Sequence, residues 1–208
     1  MLRGLLLALL AAAWLPASGL TVQTQTQAVL LMQARLKTPP VLRGEFEQAK
    51  TLRGFKNKLL SRGEFLLARD QGVWWHTRQP FESTLVVTKT RLFTRHPDGS
   101  THDLMDAQAE PGIKQVNELV FALLAADAGP LADKFYVLAQ PVGAAGWSLT
   151  LTPRDTDIAK FIVRATLTGE RDLQTVHIEE PNGDSTEIRF SQQMPSAALT
   201  ADEAARFQ

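Results

Sequence analysis

The spacing of apolar residues changes along the chain from a helical to a strand-like period. Between residues 27 and 37, apolar side chains recur at three- and four-residue steps, and Pro39-Pro40 follows them. Because neither proline can continue a helix, the pattern predicts an amphipathic helix that ends before them. Residues 114–126 have a second helical pattern, which a Gly-Pro pair stops.

Outside these two segments, apolar and polar residues mostly alternate, which is the period of a β-strand. The alternating runs are rich in Val, Thr, Leu and Phe, which fit a pleated surface well. We predict strands over residues 44–49, 63–69, 73–77, 83–88, 91–94, 135–139, 147–152, 161–167, 175–180 and 186–190.

Three local signals indicate turns and a short helix. Pro-Asp-Gly at residues 97–99 is typical of a tight turn, and Pro-Asn-Gly-Asp at residues 181–184 is the strongest hairpin signal in the chain. Residues 199–207 predict a helix with Thr200 as its N-cap and Glu203 three positions later, which is the spacing of a capping box.

Residues 1–19 have the layout of a secretory signal peptide. Arg3 precedes an apolar run over residues 5–15, and Pro-Ala-Ser-Gly follows it. The run is shorter than the roughly 20 apolar residues that a membrane-spanning helix needs. We therefore expect cleavage near Gly19 and export of a mature chain of residues 20–208.

The predicted elements describe a mainly β (α+β) protein, an antiparallel meander interrupted by a few helices. A chain of 208 residues is long enough for one sizeable core. No repeat or low-complexity segment divides it, so we expect residues 20–208 to form one domain, and we expect a monomer.

Composition excludes several classes of function. The chain has 22 basic and 22 acidic residues, and this balance argues against nucleic acid as a partner, because phosphate binding needs a basic face. It has no cysteine, which excludes disulfides, thiolate metal sites and thiol catalysis.

The polar residues offer little catalytic chemistry. We find no Gly-rich phosphate loop, no nucleophile elbow and no zinc-protease motif. His96, Asp98, His102 and Asp103 are close in sequence, but turn chemistry explains the Pro-Asp-Gly among them, so a solvated turn is favoured over a metal site. We therefore predict no catalytic residue, no metal and no cofactor.

The apolar residues are more informative, because strand parity places many of them on one face of the predicted sheet. Such a face needs a cover. The pattern favours an ordinary core beneath the helices, and the alternative is that the cover lifts and the face takes an acyl chain. The face consists of Phe65, Leu67, Val73, Trp75, Phe161, Val163, Ala165, Leu167, Ile188 and Phe190.

Arg69 continues the parity of Phe65 and Leu67, which places it at the mouth of this face. Leaving a guanidinium buried without partners costs several kcal/mol or so, so Arg69 must either find partners there or reach water.

The stretch from residue 44 to residue 93 resembles the periplasmic outer-membrane lipoprotein carrier family, LolA. The matching segments are Phe-Glu-Gln at 46–48, Lys-Thr-Leu-Arg-Gly-Phe-Lys at 50–56, Ser-Arg-Gly-Glu-Phe at 61–65, Ala-Arg at 68–69, Trp-His at 75–76 and Gln-Pro-Phe-Glu at 79–82. A second block agrees, with Trp-Ser-Leu-Thr-Leu-Thr-Pro-Arg at 147–154 and Thr-Glu-Ile-Arg-Phe at 186–190.

The resemblance implies an unclosed antiparallel barrel with a helical lid over an apolar cavity. It implies a periplasmic carrier that takes acylated lipoproteins from an inner-membrane donor and delivers them to an outer-membrane acceptor. Arg69 matches the arginine that in this family hydrogen-bonds lid backbone groups and keeps the cavity closed.

Other functions stay open at this point. One is a paralogue that serves another lipid pathway, and another is a periplasmic sensor or scaffold that binds a lipidated partner without moving it. A third is a lipid-acting enzyme that uses the region from His96 to Asp103.

Overall fold

The computed structural model describes residues 39–88, 91–103 and 133–208, in which eleven strands form one sheet accompanied by two short helices. The predicted signal peptide and both helices predicted over residues 27–37 and 114–126 lie outside these residues. The first six strands are β1 (Val41–Thr51), β2 (Leu59–Ala68), β3 (Gly72–Gln79), β4 (Ser83–Thr88), β5 (Leu92–Arg95) and β6 (Thr101–Asp103). The others are β7 (Phe135–Val142), β8 (Gly146–Pro153), β9 (Arg164–Gly169), β10 (Leu173–Glu179) and β11 (Ser185–Ser196), with helices α1 (Thr156–Ala159) and α2 (Ala201–Ala205).

The sheet consists of two antiparallel meanders joined by the first and last strands. Its order is β6-β5-β4-β3-β2-β1-β11-β10-β9-β8-β7, and every neighbouring pair is antiparallel. The two outermost strands do not pair with each other, so the sheet is not closed. This confirms the mainly β, unclosed antiparallel architecture that the sequence predicted.

Bulges interrupt the pairing near the centre of the sheet. The β1–β11 register shifts between Arg43 and Glu45, and on β11 the backbone of Gln192 has a φ of 50° there. The side-chain amide of Gln192 donates a hydrogen bond of 2.9 Å to Oε2 of Glu45. Bulges bend strands and increase their twist, and a sheet of this width rarely stays flat.

Two separate apolar clusters lie on opposite faces of the sheet. The inner cluster contains the residues of one strand parity in β1–β3 and β7–β11, together with Ile158 and Ile162 from the connection between β8 and β9. The outer cluster lies over β1–β5 and is made by Val41, Leu66, Ala68, Trp74, Val86, Phe93 and Phe207.

Local sequence signals identified most elements correctly. All ten predicted strands are present with shifted ends, and the capping box at Thr200 and Glu203 is formed. In the hairpin between β10 and β11, the N–H of Gly183 donates to the carbonyl of Glu180 over 3.0 Å, and Gly183 has the positive φ of 87° that favours glycine.

One strand prediction was wrong at its beginning. The predicted strand over residues 161–167 begins only at Arg164, because the chain first forms α1, whose N-cap Asp155 accepts a hydrogen bond from the N–H of Asp157. After α1, the buried side chain is Ile162 rather than its neighbours.

Candidate functional site

Four aromatic side chains meet on the inner face where β1, β2, β3 and β11 run side by side. Phe46 and Trp75 are stacked with ring centroids 3.7 Å apart. Phe190 contacts Phe65 and Trp75 edge to face, at centroid distances of 5.3 and 6.2 Å. Edge-to-face contacts are favourable for the aromatic quadrupole, so the group, which we call the aromatic quartet, is a well-packed apolar centre.

Glycines on neighbouring strands make room for these rings. Gly63 pairs with Phe46 across β1 and β2, and a Cβ at Gly63 would lie 2.8 Å from the Phe46 ring and 1.9 Å from the carbonyl oxygen of His76. Gly44 pairs with Phe65 in the same way, with a would-be Cβ 2.6 Å from the ring. The quartet therefore depends on two positions where any larger residue would collide.

The apolar surface continues from the quartet across the second meander. Leu149 and Leu151 on β8, Leu167 on β9 and Val176 on β10 are almost fully buried in the same cluster. At its margin, the indole N–H of Trp147 donates to the carbonyl oxygen of Glu170 over 2.6 Å. The inner face is thus a continuous aliphatic and aromatic surface. At this margin, the polar N–H of Trp147 is satisfied by a backbone carbonyl.

Most of the residues that the sequence placed on this face belong to the inner cluster. Ala165 is a buried member of the cluster. Trp75 and Phe161 are partly buried and pack against the cluster. Six further predicted residues are buried members of the cluster: Phe65, Leu67, Val73, Leu167, Ile188 and Phe190.

Val163 is the exception. Its side chain is 42% exposed and lies outside the cluster, whereas Ile162 is completely buried in it. The strand parity that we extended back to Val163 does not hold, because residues 161–163 follow α1 and precede β9.

Sequence reasoning missed several members of the inner cluster. Phe46 pairs with Phe190 and stacks on Trp75, but a parity argument within its own strand did not single it out. Trp147, Leu149 and Leu151 alternate within a strand that was predicted, so the period-two signal was available for them. For Ile158 and Ile162 no strand signal exists, because they belong to α1 and the turn after it.

Arg69 lies in the turn that connects β2 to β3. Its side chain is exposed, and its backbone N–H donates to the carbonyl oxygen of Pro40 over 2.9 Å. Ala68 just before it belongs to the outer cluster and Leu67 to the inner one. Arg69 therefore lies at the end of the sheet where β1 begins, next to strand residues of both clusters.

The acidic and imidazole groups of the described chain were candidates for a metal site. In residues 39–88, 91–103 and 133–208, no three His, Cys, Asp or Glu side chains are grouped to hold a metal ion. Asp98 accepts hydrogen bonds from the hydroxyl and the N–H of Ser100, which lower the pKa of its carboxyl. This is the turn chemistry that the sequence indicated there.

The C-terminal segment packs on the outer face and contains the most perturbed carboxyl group described. Glu203 on α2 accepts hydrogen bonds from the guanidinium of Arg43 on β1, one of them 2.6 Å long to Oε2. These bonds, together with those from Thr200, lower the pKa of Glu203 from its ordinary 4.5 to about 2. Arg206 lies over the Trp74 ring at 4.4 Å.

The described helices include none that is long and apolar enough to cross a membrane.

Comparison with known families and structures identifies the relatives of this chain. The model of the family described as outer membrane lipoprotein carrier protein LolA matches residues 38–205. A search among curated proteins finds no match.

Three solved structures are similar at low sequence identity. A LolA superfamily protein from Nitrosomonas europaea is 12% identical, with a TM-score of 0.50 over 86% of this chain and 96% of that one. A DUF1329 family protein from Desulfovibrio piger is 11% identical, with a TM-score of 0.56 over 88% and 95% of the two chains. A domain described as an outer membrane lipoprotein-sorting protein, from Vibrio parahaemolyticus, is 10% identical, with a TM-score of 0.45 over 88% and 97%. At these identities the first two similarities show the fold alone.

Proposed function

We propose that this chain, which belongs to the LolA family of outer membrane lipoprotein carriers, shelters the acyl chains of lipoproteins or lipids in the periplasm and delivers them towards the outer membrane. In this proposal residues 1–19 are a cleaved signal peptide, and residues 20–208 form the binding domain. The protein works as a monomer without catalytic chemistry.

The observation that carries the proposal is the continuous apolar inner face of an unclosed sheet. Burial of apolar surface contributes about 25 cal/mol per Å², so covering a few hundred Å² of acyl chain would contribute about 5–10 kcal/mol. An apolar face of this kind suits a hydrocarbon chain, which offers no polar group for recognition.

Reversible binding requires a cover that can be displaced. We propose that a helical lid, of the kind that the resemblance to the LolA family implies, forms this cover. Separating such a lid from the inner face would use part of the binding free energy, which keeps the affinity moderate and release possible. Transfer then needs only an acceptor whose cavity binds the acyl chain more favourably.

We propose that Arg69 regulates this cover. Arg69 follows Leu67 of the inner cluster and is exposed, and a guanidinium with five donors could hold backbone carbonyls of a covering segment there. Substitution by Leu would remove these donors while keeping an apolar stem.

The partners in this proposal are an acylated lipoprotein or lipid as cargo, an inner-membrane donor and an outer-membrane acceptor. The family supports cargo of this kind, whereas the identity of each partner is an open part of the proposal.

Native mass spectrometry of the full chain isolated from a periplasm tests the function. We expect adducts whose masses correspond to acylated lipid or lipopeptide, and binding of a diacylated peptide but not of the same peptide without acyl chains. A protein that carries no lipid and binds both peptides equally weakly would contradict the proposal.

The role of Arg69 has its own test in Arg69→Leu, with Arg171→Leu as the control. Arg171 is also an exposed arginine, in the hairpin turn between β9 and β10 at the same end of the sheet. We expect Arg69→Leu to slow release of the diacylated peptide to acceptor vesicles, and Arg171→Leu to leave the rate unchanged. Equal rates for both variants and the wild type would overturn the role of Arg69.

A further inference from the structure

The far end of the sheet from Arg69 presents large apolar side chains to solvent. Residues 53–60, in the loop between β1 and β2 and at the beginning of β2, are all exposed, and Phe55 in this loop is 70% exposed. Leu59 and Leu60 are more than half exposed, and Phe81 in the turn between β3 and β4 is 83% exposed. Isolated exposed apolar residues are ordinary, but a group of four is not.

The sheet register brings these side chains to one edge. β2 lies between β1 and β3, so the β1–β2 loop and the β3–β4 turn are at the same end of neighbouring strands. Arg62 pairs with Gln79, the last residue of β3, so Leu59 and Leu60 extend alongside the turn that contains Phe81.

The loop is attached to the rest of the sheet. The N–H of Arg53 donates to Oδ1 of Asp184 over 2.8 Å, and the stem of Arg53 packs across Gly183, where a Cβ would lie 2.9 Å from Cδ. The N–H of Phe55 donates to the carbonyl of Leu52 over 3.0 Å. The exposed position of Phe55 is therefore supported by a neighbouring turn.

The same edge carries a cluster of basic side chains in one loop. Residues 52–60 include Arg53, Lys56 and Lys58 and no acidic residue, and none of these three cations forms an ion pair in the described structure.

Most acidic residues nearby face basic groups, whereas Asp184 accepts hydrogen bonds from the N–H of Arg53 and the side-chain amide of Asn182. Glu180 lies 3.2 Å from Lys50, and Glu47 lies 3.3 Å from Arg62. Glu82, next to Phe81, lies 3.8 Å from a ring nitrogen of His76.

We propose that this edge, the basic apolar rim formed by Arg53, Phe55, Lys56, Lys58, Leu59, Leu60 and Phe81, docks on the surface of a bilayer that contains anionic phospholipid. Protruding aromatic and aliphatic side chains enter the boundary between headgroups and acyl chains, and the cations contact lipid phosphates. A projecting edge with unpaired cations fits this soft, negatively charged surface better than it fits a protein surface, which must be complementary in shape.

The proposal does not depend on cargo binding. It gives the carrier a defined orientation, with the rim towards the membrane and Arg69 at the opposite end of the sheet. A protein that docks on vesicles but binds no acyl chain would support this inference and contradict the proposed function. A protein that binds acyl chains but does not dock on vesicles would support the proposed function and contradict this inference.

Vesicle co-sedimentation of the full chain tests the rim. We expect binding to vesicles of phosphatidylcholine with phosphatidylglycerol, weaker binding to phosphatidylcholine alone, and a loss of binding as salt is raised. Equal sedimentation with both kinds of vesicle, or none with either, would overturn the proposal.

Paired variants separate the charge from the apolar contribution. We expect Lys56→Glu with Lys58→Glu to weaken binding by about 30-fold or more, because each cation near an anionic surface contributes substantially. Arg171→Glu, a charge reversal at an exposed arginine in the β9–β10 turn at the opposite end of the sheet, is the control and should change binding by less than about threefold.

Phe55→Ser with Phe81→Ser should weaken binding about tenfold or more. Val142→Ser, at a side chain 53% exposed at the opposite end of the sheet, should leave it unchanged. Rim variants that bind as tightly as the wild type, in either pair, would contradict the assignment of the rim.

Because the natural chain has no cysteine, a single label can report the orientation directly. An environment-sensitive fluorophore at Phe55→Cys should shift to the blue when vesicles are added, and the same label at Val142→Cys should not. A shift at Val142→Cys alone would mean that the opposite end of the sheet faces the lipid and would overturn the proposal.

Discussion

In the described part of the chain, the contacts on the two faces of the sheet differ in kind. On the outer face, a short C-terminal segment is held by particular contacts: the capping box at Thr200, the ion pair of Glu203 with Arg43 and the stacking of Arg206 on Trp74. On the inner face, the described contacts are apolar packing around the aromatic quartet.

This difference has a physical meaning. Ion pairs and caps fix a cover in one geometry, because each has a defined partner and direction. Apolar packing is non-directional, so one hydrocarbon surface can replace another at little cost. The outer face therefore suits a permanent cover, and the proposed function requires an exchangeable cover on the inner face.

The largest effect should come from the quartet. Phe46→Ala removes a ring that is 1% exposed and stacked on Trp75, so we expect the free energy of unfolding to fall by about 3–5 kcal/mol. Phe55→Ala, at the exposed phenylalanine, should change it by less than about 0.5 kcal/mol. Urea unfolding measures both, and similar losses would contradict a packed inner face.

The close approach of Gly63 provides the second test of the inner face. Gly63→Ala would place a Cβ 1.9 Å from the carbonyl oxygen of His76, so the backbone must shift, and we expect a loss of about 3 kcal/mol. Gly54→Ala, where nothing lies within 4 Å, should lose only about 1 kcal/mol from its positive φ. If thermal unfolding shows a larger loss of stability for Gly54→Ala than for Gly63→Ala, the backbone of β2 can shift at Gly63 at little cost.

On the outer face, Glu203→Gln tests the ion pair separately from the cap, because glutamine can still accept the hydrogen bond from the N–H of Thr200. We expect a loss of about 1–2 kcal/mol at neutral pH in chemical unfolding. Asp202→Asn, at the exposed neighbouring acid, should cost less than about 0.5 kcal/mol. If the two substitutions lower the free energy of unfolding equally, the ion pair of Glu203 with Arg43 makes no specific contribution to stability.

The loss of unfolding free energy in Glu203→Gln should depend on pH, because the pKa of Glu203 is perturbed in the folded state. Its pKa is lowered in the folded state, from 4.5 to about 2, so its stabilisation is present above pH 4.5 and disappears as the pH falls towards 2. The difference in unfolding free energy between the wild type and Glu203→Gln should therefore be constant above about pH 5 and shrink below it. A difference that grows on acidification would contradict the ion pair.

The smallest effect should come from Arg206. Arg206→Gln removes the cation from the Trp74 ring, and we expect a loss of about 0.5–1 kcal/mol with a change in tryptophan fluorescence. An unchanged emission spectrum and stability would mean that the C-terminal cover does not depend on this contact.

Local signals in the sequence were sufficient for the elements of both faces. The capping box of α2 and the turn at residues 181–184 depend on residues within a few positions of each other, and both are present. Strand parity placed Phe65, Leu67 and Phe190 on one face for the same reason.

The features that could not be predicted from the sequence are contacts between residues far apart in the chain and a strand pattern that a helix interrupts. The ion pair of Arg43 with Glu203 joins residues 160 positions apart, and no periodicity encodes such a pairing. The pairing of β1 with β11, which places Phe46 beside Phe190, is of the same kind. Parity failed at Val163 because α1 resets the alternation before β9 begins.

The measurement that tests the central claim most directly is photo-crosslinking of the full chain with a fatty acid that carries a diazirine in its acyl chain. The account predicts crosslinks on inner-face residues of β1, β2, β3 and β11, among them Phe46, Trp75 and Phe190, which excess unlabelled fatty acid suppresses. Crosslinks confined to the outer cluster around Trp74 and Phe207, or insensitive to the competitor, would contradict it.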